Sequence, residues 1–178
     1  MSVWFTADEH IGHKNVLHLM DRPYRSEAEM EDDFVARHNA VVGKGDRVYH
    51  LGDVSFKDHR TRMYIEQLNG QHHLIRGNHD AKKQTALWAW EGLAKMVKID
   101  GHLFYCSHYA HRTWPQSHYG AYHCYGHSHG MIDPYFRSMD VGVDGNNFTP
   151  VHYTEVIAKR EDCGFVDPHE RNSLCQSE

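Results

Sequence analysis

The chain has 178 residues, of which 40% are hydrophobic, and this size and composition allow one compact domain with a buried core. Its formal net charge of −5 comes without a basic run, which argues against bulk electrostatic binding to nucleic acid or to an acidic membrane. The opening segment MSVWFTADEH has neither the apolar core of a signal peptide nor the length of a membrane span, so we expect a cytoplasmic protein without a membrane partner.

Three short apolar segments in the first half of the chain are predicted strands. SVWFTAD ends at Asp8, RVYHLGD ends at Asp53, and HHLIRGNHD ends near Gly77. Each segment passes directly into a cluster of polar residues. Such strands, alternating with helical patterns, are typical of an α/β domain.

Helical patterns separate and follow these strands. Ser26 and Glu29 have the spacing of a capping box, and apolar residues follow them at helical intervals. Two further helices are predicted, from about residue 58 to 68 and from about residue 82 to 93. We expect the tryptophans of the third helix to lie in the core.

The second half of the chain is richer in strands. KMVKID, HLFYCSH, AYHCYGHSH and SMDVGVD are the predicted strands, and Asp100-Gly101 predicts a tight hairpin turn between the first two. The pattern indicates two packed sheets flanked by helices. The four cysteines form no C-x-x-C pair, so we expect reduced thiols and no disulfide framework.

Polar clusters that contain histidine, aspartate or asparagine end five predicted strands. They are Asp8-Glu9-His10, Gly52-Asp53, Gly77-Asn78-His79-Asp80, Ser107-His108 and Gly126-His127-Ser128-His129. Carboxylates, imidazoles and an amide form the mixed oxygen and nitrogen set that suits Mn²⁺, Fe or Zn²⁺, whereas a pure oxygen set would suit Mg²⁺ or Ca²⁺. Turn chemistry accounts for any one of these Asx residues alone. Five such clusters at strand ends favour a metal site.

Residues one apart in an extended segment project from the same face. We therefore expect Asp8 and His10 to approach a common centre, and likewise His127 and His129. Glu9 should point the other way, as a surface residue or as a support for the site. The flanking glycines allow close approach of the backbone.

The order of these motifs resembles that of the calcineurin-like metallophosphoesterase superfamily. Asp-x-His, Gly-Asp, Gly-Asn-His-Asp, a lone His and Gly-His-x-His follow one another from residue 8 to residue 129. The segments DEHIGHKNV, DRPYRS, VYHLGDVSF and HCYGHSHG are similar to those of small bacterial and phage members. The resemblance implies a four-layer αββα sandwich of two mixed β-sheets flanked by helices. We expect this domain to span residues 1–160, followed by a polar tail at residues 161–178.

The resemblance also implies a ligand set for two divalent transition-metal ions, with manganese favoured and iron or zinc also compatible. The first ion would be held by Asp8, His10, Asp53 and His129, and the second by Asp53, Asn78, His108 and His127. Asp53 would then bridge the two ions.

The resemblance implies hydrolysis of small phosphate esters by in-line attack of a hydroxide that bridges the metals. His79 matches the general acid that protonates the leaving oxygen, and Asp80 is placed to orient its ring. Phosphodiesters and phosphomonoesters, nucleotides among them, are the candidate substrates. Val-Ser-Phe follows Asp53, where protein serine/threonine phosphatases carry an arginine, and this argues against large phosphoprotein substrates.

Two alternatives stay open at this point. One is a catalytically silent metal-binding scaffold of the same fold, although His79 and every ligand position are filled. The other is a nuclease, which needs a basic track along its surface. Nucleic acid is thus a disfavoured partner, and a basic patch formed by folding could still bind it. The oligomeric state is left open.

Several polar residues are candidates for binding the phosphate of the substrate. They are His13, Asn15, Arg22, Arg76 and His118, and the neighbouring Lys14, Arg25 and Arg112 are also within reach of the expected mouth of the site. Helix starts and solvated faces explain each of them equally well.

Overall fold

The computed structural model describes residues 1–80 and 87–161, which form two packed β-sheets with helices around them. The strands are β1 (Val3–Thr6), β2 (Arg47–His50), β3 (Gln71–Ile75), β4 (Trp90–Gly92), β5 (Ala94–Ile99), β6 (His102–Ser107), β7 (Tyr122–Tyr125), β8 (Ser138–Asp140) and β9 (Val151–His152). The helices are α1 (Val16–Leu19), α2 (Glu27–Val41), α3 (Asp58–Ile65) and α4 (Tyr153–Arg160).

Both sheets are mixed, as predicted. The first has the strand order β4-β3-β2-β1-β9, in which only β9 is antiparallel to its neighbour. The second has the order β5-β6-β7-β8, in which β5 and β6 form the antiparallel hairpin predicted at Asp100-Gly101. Two mixed sheets with helices around them confirm the predicted fold class.

Aromatic and aliphatic side chains fill the space between the sheets. Phe5 of the first sheet lies 5.5 Å from Phe104 of the second, measured between ring centroids, and neither side chain is exposed. Cys106 and Cys124 belong to the same cluster as buried free thiols, as expected. Burying one such large side chain contributes roughly 1.5–3 kcal/mol, so this layer is a main source of stability.

Helices α2 and α3 cover the other face of the first sheet. Met30 and Phe34 of α2 pack with Leu74 of β3 and with Trp88 in a second buried cluster. The side chain of Ser26 accepts a hydrogen bond from the backbone of Glu29 at 3.2 Å, which confirms the predicted start of α2.

Helix α4, which the sequence analysis missed together with β9, contacts both sheets. It packs against β1 and β9 of the first and against β7 and β8 of the second. Val156 of α4 is fully buried in the layer between the sheets, so the helix closes one edge of the sandwich.

The prediction of a helix from about residue 82 to residue 93 is wrong for its last residues. Residues 90–92 form β4, which pairs in parallel with β3 so that Trp90 faces His73. Residues 81–86 lie outside the described residues. Trp88 is buried as expected.

Helix α4 ends at Arg160, and residues 162–178 of the predicted tail lie outside the described residues, so the domain boundary stays a prediction. Within the described residues, no helix combines the length and apolar character needed to cross a bilayer.

Candidate metal centre

The two sheets meet at the carboxyl ends of their parallel strands. Ala7, just after β1, forms a parallel bridge with Gly142, just after β8, and the backbone of Val143 donates to the carbonyl of Ala7 at 3.0 Å. The loops that follow β1, β2, β3, β6 and β7 therefore gather at one place, where the polar clusters of the sequence lie.

Five of the predicted ligands lie in the left-handed region of backbone space. Asp8, His10, Asp53, His127 and His129 have φ values of 61°, 54°, 58°, 67° and 48°. L-residues rarely adopt this region, and such strain persists where surrounding structure holds it. We expected an extended backbone at the Asp8–His10 pair and at the His127–His129 pair. That prediction is wrong, because each of these residues lies in a sharply turned loop.

The predicted ligands form two adjacent clusters. The first contains Asp8, His10 and His129, and the second contains Asp53, His108 and His127; within each cluster, one ligand atom from every member lies within 4.8 Å of the others.

Asp53 belongs to the second cluster and also faces the first. Its Oδ2 is 3.8 Å from Nε2 of His10 and 3.4 Å from Nε2 of His108. Asn78 joins the second cluster, with its Oδ1 3.1 Å from Nε2 of His108. All seven predicted ligands thus lie together at one end of the sandwich.

The chemistry of the first cluster fits a cation. Asp8 is fully buried, and its Oδ1 has no hydrogen-bond partner among the described residues. Burial, followed by the charges of Asp140 and Asp53, raises the pKa of Asp8 well above its usual range. Burial also lowers the pKa of His10 to about 3 and so keeps its imidazole neutral, the state that binds a metal ion. A divalent cation would neutralise the Asp8 carboxylate and bind a ring nitrogen of His10.

Histidine ligands are oriented by hydrogen bonds on their other ring nitrogen. Nδ1 of His108 faces the carbonyl of Leu51 at 2.7 Å, which directs Nε2 towards Asp53. Burial alone would lower the pKa of His108, but its contacts with Asp53 and Leu51 outweigh this and raise it. Nδ1 of His129 lies 2.7 Å from Oδ2 of Asp144. Supporting contacts of this kind are typical of metal-binding histidines.

Asp140 and Asp144 support the site and were not among the residues predicted from the sequence. Asp140 accepts hydrogen bonds from Ser128, Gly130 and Gly142 at 2.7 to 2.9 Å and so shapes the loop that carries His127 and His129. Both aspartates belong to the predicted strand SMDVGVD; Asp144 is its last residue, as Asp8 and Asp53 are of theirs, whereas Asp140 lies inside it. The strand-end position was therefore an available signal for Asp144 and not for Asp140.

Glycines beside the ligands allow the loops to approach. A Cβ at Gly77 would collide with the Asp53 carboxylate, and a Cβ at Gly126 would lie 2.7 Å from Oδ2 of Asp8. Any side chain at either position would displace a predicted ligand.

Asp80 does not have the position that we predicted. We expected its carboxylate to orient the ring of His79. The carboxylate instead accepts hydrogen bonds from the backbone N–H groups of Asp53, Val54 and Gly77 at 2.8 to 2.9 Å. It therefore holds the loop after β2 against the loop after β3, and it is a positioning residue.

His79 lies at the open side of the clusters. Its backbone N–H donates to Oδ1 of Asp53 at 2.8 Å, and its Nε2 lies 4.0 Å from Oδ2 of the same carboxylate. The side chain is 42% exposed and its ring packs 4.4 Å from that of Phe56. Tyr109 flanks the opposite side, where its hydroxyl donates to Asn78 at 3.3 Å.

Arg22 is not a phosphate-binding residue. Its side chain is fully buried and donates to both oxygens of Asp144 and to the backbone carbonyls of Asp8 and Glu9. These partners occupy the guanidinium, so the prediction is wrong. Glu9 points away from the metal ligands, as expected, but it is buried and hydrogen-bonds to Nδ1 of His50 at 2.7 Å.

The other predicted substrate residues have different surroundings. His13 and Asn15 line a cavity beside the first cluster. Arg76 pairs with Glu91 at 3.3 Å, and the exposed His118 lies against the ring of Tyr119. No described contact joins Arg76 or His118 to the ligand clusters, and their proposed role stays a prediction.

Comparisons with known proteins agree with this fold. No family model matches the chain. An uncharacterized protein of Methanocaldococcus jannaschii is 28% identical over 165 residues, which cover 87% of this chain and 89% of the relative. A protein of unknown function from Aquifex aeolicus has a solved structure with a TM-score of 0.69 and 19% identity, covering 89% of this chain and 98% of that one.

A more distant structure, that of an archaeal phosphodiesterase, has a TM-score of 0.47 and 21% identity, covering 82% of this chain and 87% of that one. The chain therefore shares its fold with the Aquifex aeolicus protein, and the motifs that the sequence resemblance rested on lie at the ends of its strands.

Proposed function

We propose that the chain is a metal-dependent hydrolase of small phosphate esters. The observation that carries this proposal is the position of Asp53 between two clusters of ligands, with Oδ2 3.8 Å from His10 and 3.4 Å from His108. A carboxylate placed in this way can serve two metal ions at once. Two adjacent ions acting on one substrate are a recurrent arrangement in enzymes that cleave phosphate esters.

The proposed ligands divide between two sites that share Asp53. One ion would be held by Asp8, His10, Asp53 and His129, and the other by Asp53, Asn78, His108 and His127. The mixed oxygen and nitrogen donors suit Mn²⁺, Fe and Zn²⁺ alike, and the resemblance of the sequence to metallophosphoesterases favours manganese among them. Such ions, when bound, supply Lewis-acid stabilisation of the phosphate oxygens and lower the pKa of a water that can then attack phosphorus.

His79 is the proposed proton donor to the leaving oxygen. Its backbone hydrogen bond to Asp53 keeps it beside the ligands, while its exposed side chain lies where a substrate enters. The contact between its ring and Phe56 limits the directions in which the imidazole can point. Asp80 supports this arrangement by tying the backbone at Gly77 to that at Asp53.

The surroundings of the site favour a small ester. Phe56 and Tyr109, which are 38% and 49% exposed, flank opposite sides of the clusters and offer apolar surface to an organic group. Ser55 lies in the Val-Ser-Phe segment, where protein serine/threonine phosphatases carry an arginine. Its buried hydroxyl donates to the carbonyl of Ile11 and is therefore not available to a substrate. Both phosphomonoesters and phosphodiesters are compatible with this mouth.

Hydrolysis of p-nitrophenyl phosphate and bis-p-nitrophenyl phosphate tests the proposal. Metal-stripped protein is refilled with Mn²⁺, Zn²⁺ or Mg²⁺, and the expected result is turnover that depends on the added metal and survives repurification. The preferred ester distinguishes a phosphodiesterase from a phosphatase. Two bound ions per chain with no turnover of either ester would overturn the proposal in favour of a metal-binding scaffold.

A further inference from the structure

A cavity of about 400 Å³ lies directly beside the proposed metal centre. Its lining includes His13, Lys14, Asn15, Glu27, Lys57 and Arg60. His13 forms the wall between the cavity and the ligands, since its ring centroid is 5.8 Å from that of His10 and 4.7 Å from that of Phe56. A substrate bound at the metal ligands could therefore extend past His13 into this cavity.

The lining carries more positive than negative charge. Lys14 and Lys57 are exposed, and neither forms an ion pair with a described residue. Arg60 pairs with Glu31, so it adds little net charge, and Glu27 is the acidic residue of the lining. The two lysines come from the loops after β1 and β2. Folding thus gathers cations that the sequence presents far apart, without a basic run.

Two buried polar atoms at this cavity lack partners among the described residues. They are Nδ1 of His13 and Oε1 of Glu27. Buried polar atoms in folded proteins are almost always hydrogen-bonded, so unpaired atoms beside a cavity indicate that a ligand or water completes them. A phosphate oxygen could accept from His13, and a hydroxyl could donate to Glu27.

We propose that this Lys14–Lys57 cavity binds a second phosphate group of the substrate, separate from the phosphate that is hydrolysed. Lys14 and Lys57 would contact this group, and Glu27 would accept a hydrogen bond from a neighbouring hydroxyl. The inference rests on the proposed function, and it narrows the substrate class to phosphate esters that carry a second phosphate, such as nucleoside bisphosphates.

Alkane bisphosphonates test this proposal without hydrolysis, because their carbon–phosphorus bonds resist phosphoesterases. Calorimetry on the metal-loaded protein compares methylphosphonate with ethylene-, propylene- and butylene-bisphosphonate. We expect at least one bisphosphonate to bind about 10-fold more tightly, and we expect the double variant Lys14→Ala, Lys57→Ala to lose that gain, as two exposed charge contacts would give. Equal affinities in the parent, or a gain that survives in the double variant, would overturn the proposal.

Two matched variants separate the cavity from general charge effects. Lys44→Ala removes an exposed lysine at the opposite, amino end of β2 and should leave the gain unchanged. Glu27→Gln removes the acidic residue of the lining and should keep or increase the gain. A loss of the gain in Lys44→Ala would attribute it to net charge and contradict the assignment.

The same titrations distinguish this inference from the proposed function. Lysine-dependent binding of a bisphosphonate with no hydrolysis of the p-nitrophenyl esters would support the cavity and contradict the hydrolase. Hydrolysis without lysine-dependent binding would do the reverse. Titration with oligothymidylates of increasing length examines the nucleic-acid alternative, since affinity that rises over many phosphates through Lys14 and Lys57 would overturn a subsite for one phosphate.

Discussion

Nδ1 of His129 and Oδ2 of Asp144 are joined by a hydrogen bond of 2.7 Å. Arg22 donates to both oxygens of the same carboxylate, at 2.7 and 2.8 Å. Burial alone would raise the pKa of Asp144, but the hydrogen bonds from His129 and Arg22 outweigh this and lower it. An ionised Asp144 therefore fixes the ring of His129 and leaves Nε2 as the nitrogen available to a metal ion.

Asp144→Asn should weaken metal binding by about 10- to 100-fold, because the amide orients His129 less strongly and no longer increases its basicity. Metal affinity is measured by competition with a chelator, and unfolding in urea is measured in parallel to show that the fold persists. Asp133→Asn changes an exposed aspartate of the neighbouring loop and serves as the control. An unchanged affinity in a folded Asp144→Asn protein would remove Asp144 from this role.

Asp53→Asn should lower the metal content and abolish metal-dependent hydrolysis, because the bridge between the two clusters loses its charge. The amide oxygen can still accept the backbone hydrogen bond of His79, so the loops should remain folded. Elemental analysis counts the ions per chain, and Asp32→Asn on the exposed side of α2 is the control. Two ions per chain together with normal rates would contradict the shared-carboxylate assignment.

His79→Ala should retain the metal ions and slow the turnover of esters with poor leaving groups by about 10²- to 10⁴-fold. Esters of p-nitrophenol should be affected less, because this leaving group departs without a proton. The measurement is kcat for a series of esters that differ only in the acidity of the leaving alcohol, with the exposed His18→Ala as control. An equal decrease across the series would rule out proton donation by His79.

Arg22→Gln should destabilise the fold by about 3–5 kcal/mol, because it leaves the buried Asp144 carboxylate without its main charged partner. Urea denaturation gives the free energy of unfolding, and Arg112→Gln at the surface is the control. A phosphate-binding arginine would behave differently, since its loss would raise KM and leave stability nearly unchanged. That outcome would contradict the structural role.

The proposed ligands were accessible from the sequence because each one directly follows an apolar strand. Parallel strands bring their carboxyl ends to one edge, so Asp8, Asp53 and Asn78 had to lie close together. Strand β4 was missed because its three residues are defined by pairing with β3, a tertiary interaction that overrides the local pattern.

The buried ion pair was beyond sequence reasoning for a different reason. Arg22 and Asp144 are 122 positions apart, and no local pattern links them. From its sequence position, Arg22 was expected at the mouth of the site, and only the contact with Asp144 identifies it as a buried residue. The cavity at Lys14 and Lys57 escaped for the same reason, because its cations come from separate loops.

Acid should destabilise the protein in part through His38, which lies on the buried face of α2. Burial lowers its pKa to about 4, although its hydrogen bond to the carbonyl of Asn69 acts in the opposite direction. An exposed histidine in the unfolded chain titrates near the ordinary value of 6.5. Between these two values the unfolded state binds a proton that the folded state does not. The free energy of unfolding should therefore fall as the pH falls through this interval, by about 1.4 kcal/mol per pH unit for this one group.

His38→Leu removes this titration. The metal ligands are the same in the parent and the variant, so the difference between their pH profiles isolates the contribution of His38. The variant should be less stable near neutral pH, because the Asn69 carbonyl loses its donor, yet its free energy of unfolding should fall less steeply between about pH 6 and pH 4.5. Urea denaturation at a series of pH values gives the difference in slope, which should approach one proton. His118→Asn at the surface controls for the loss of a histidine. Parallel pH profiles for the parent and His38→Leu would show that His38 titrates alike in the folded and unfolded chains, and the acid sensitivity would then have to arise from other groups.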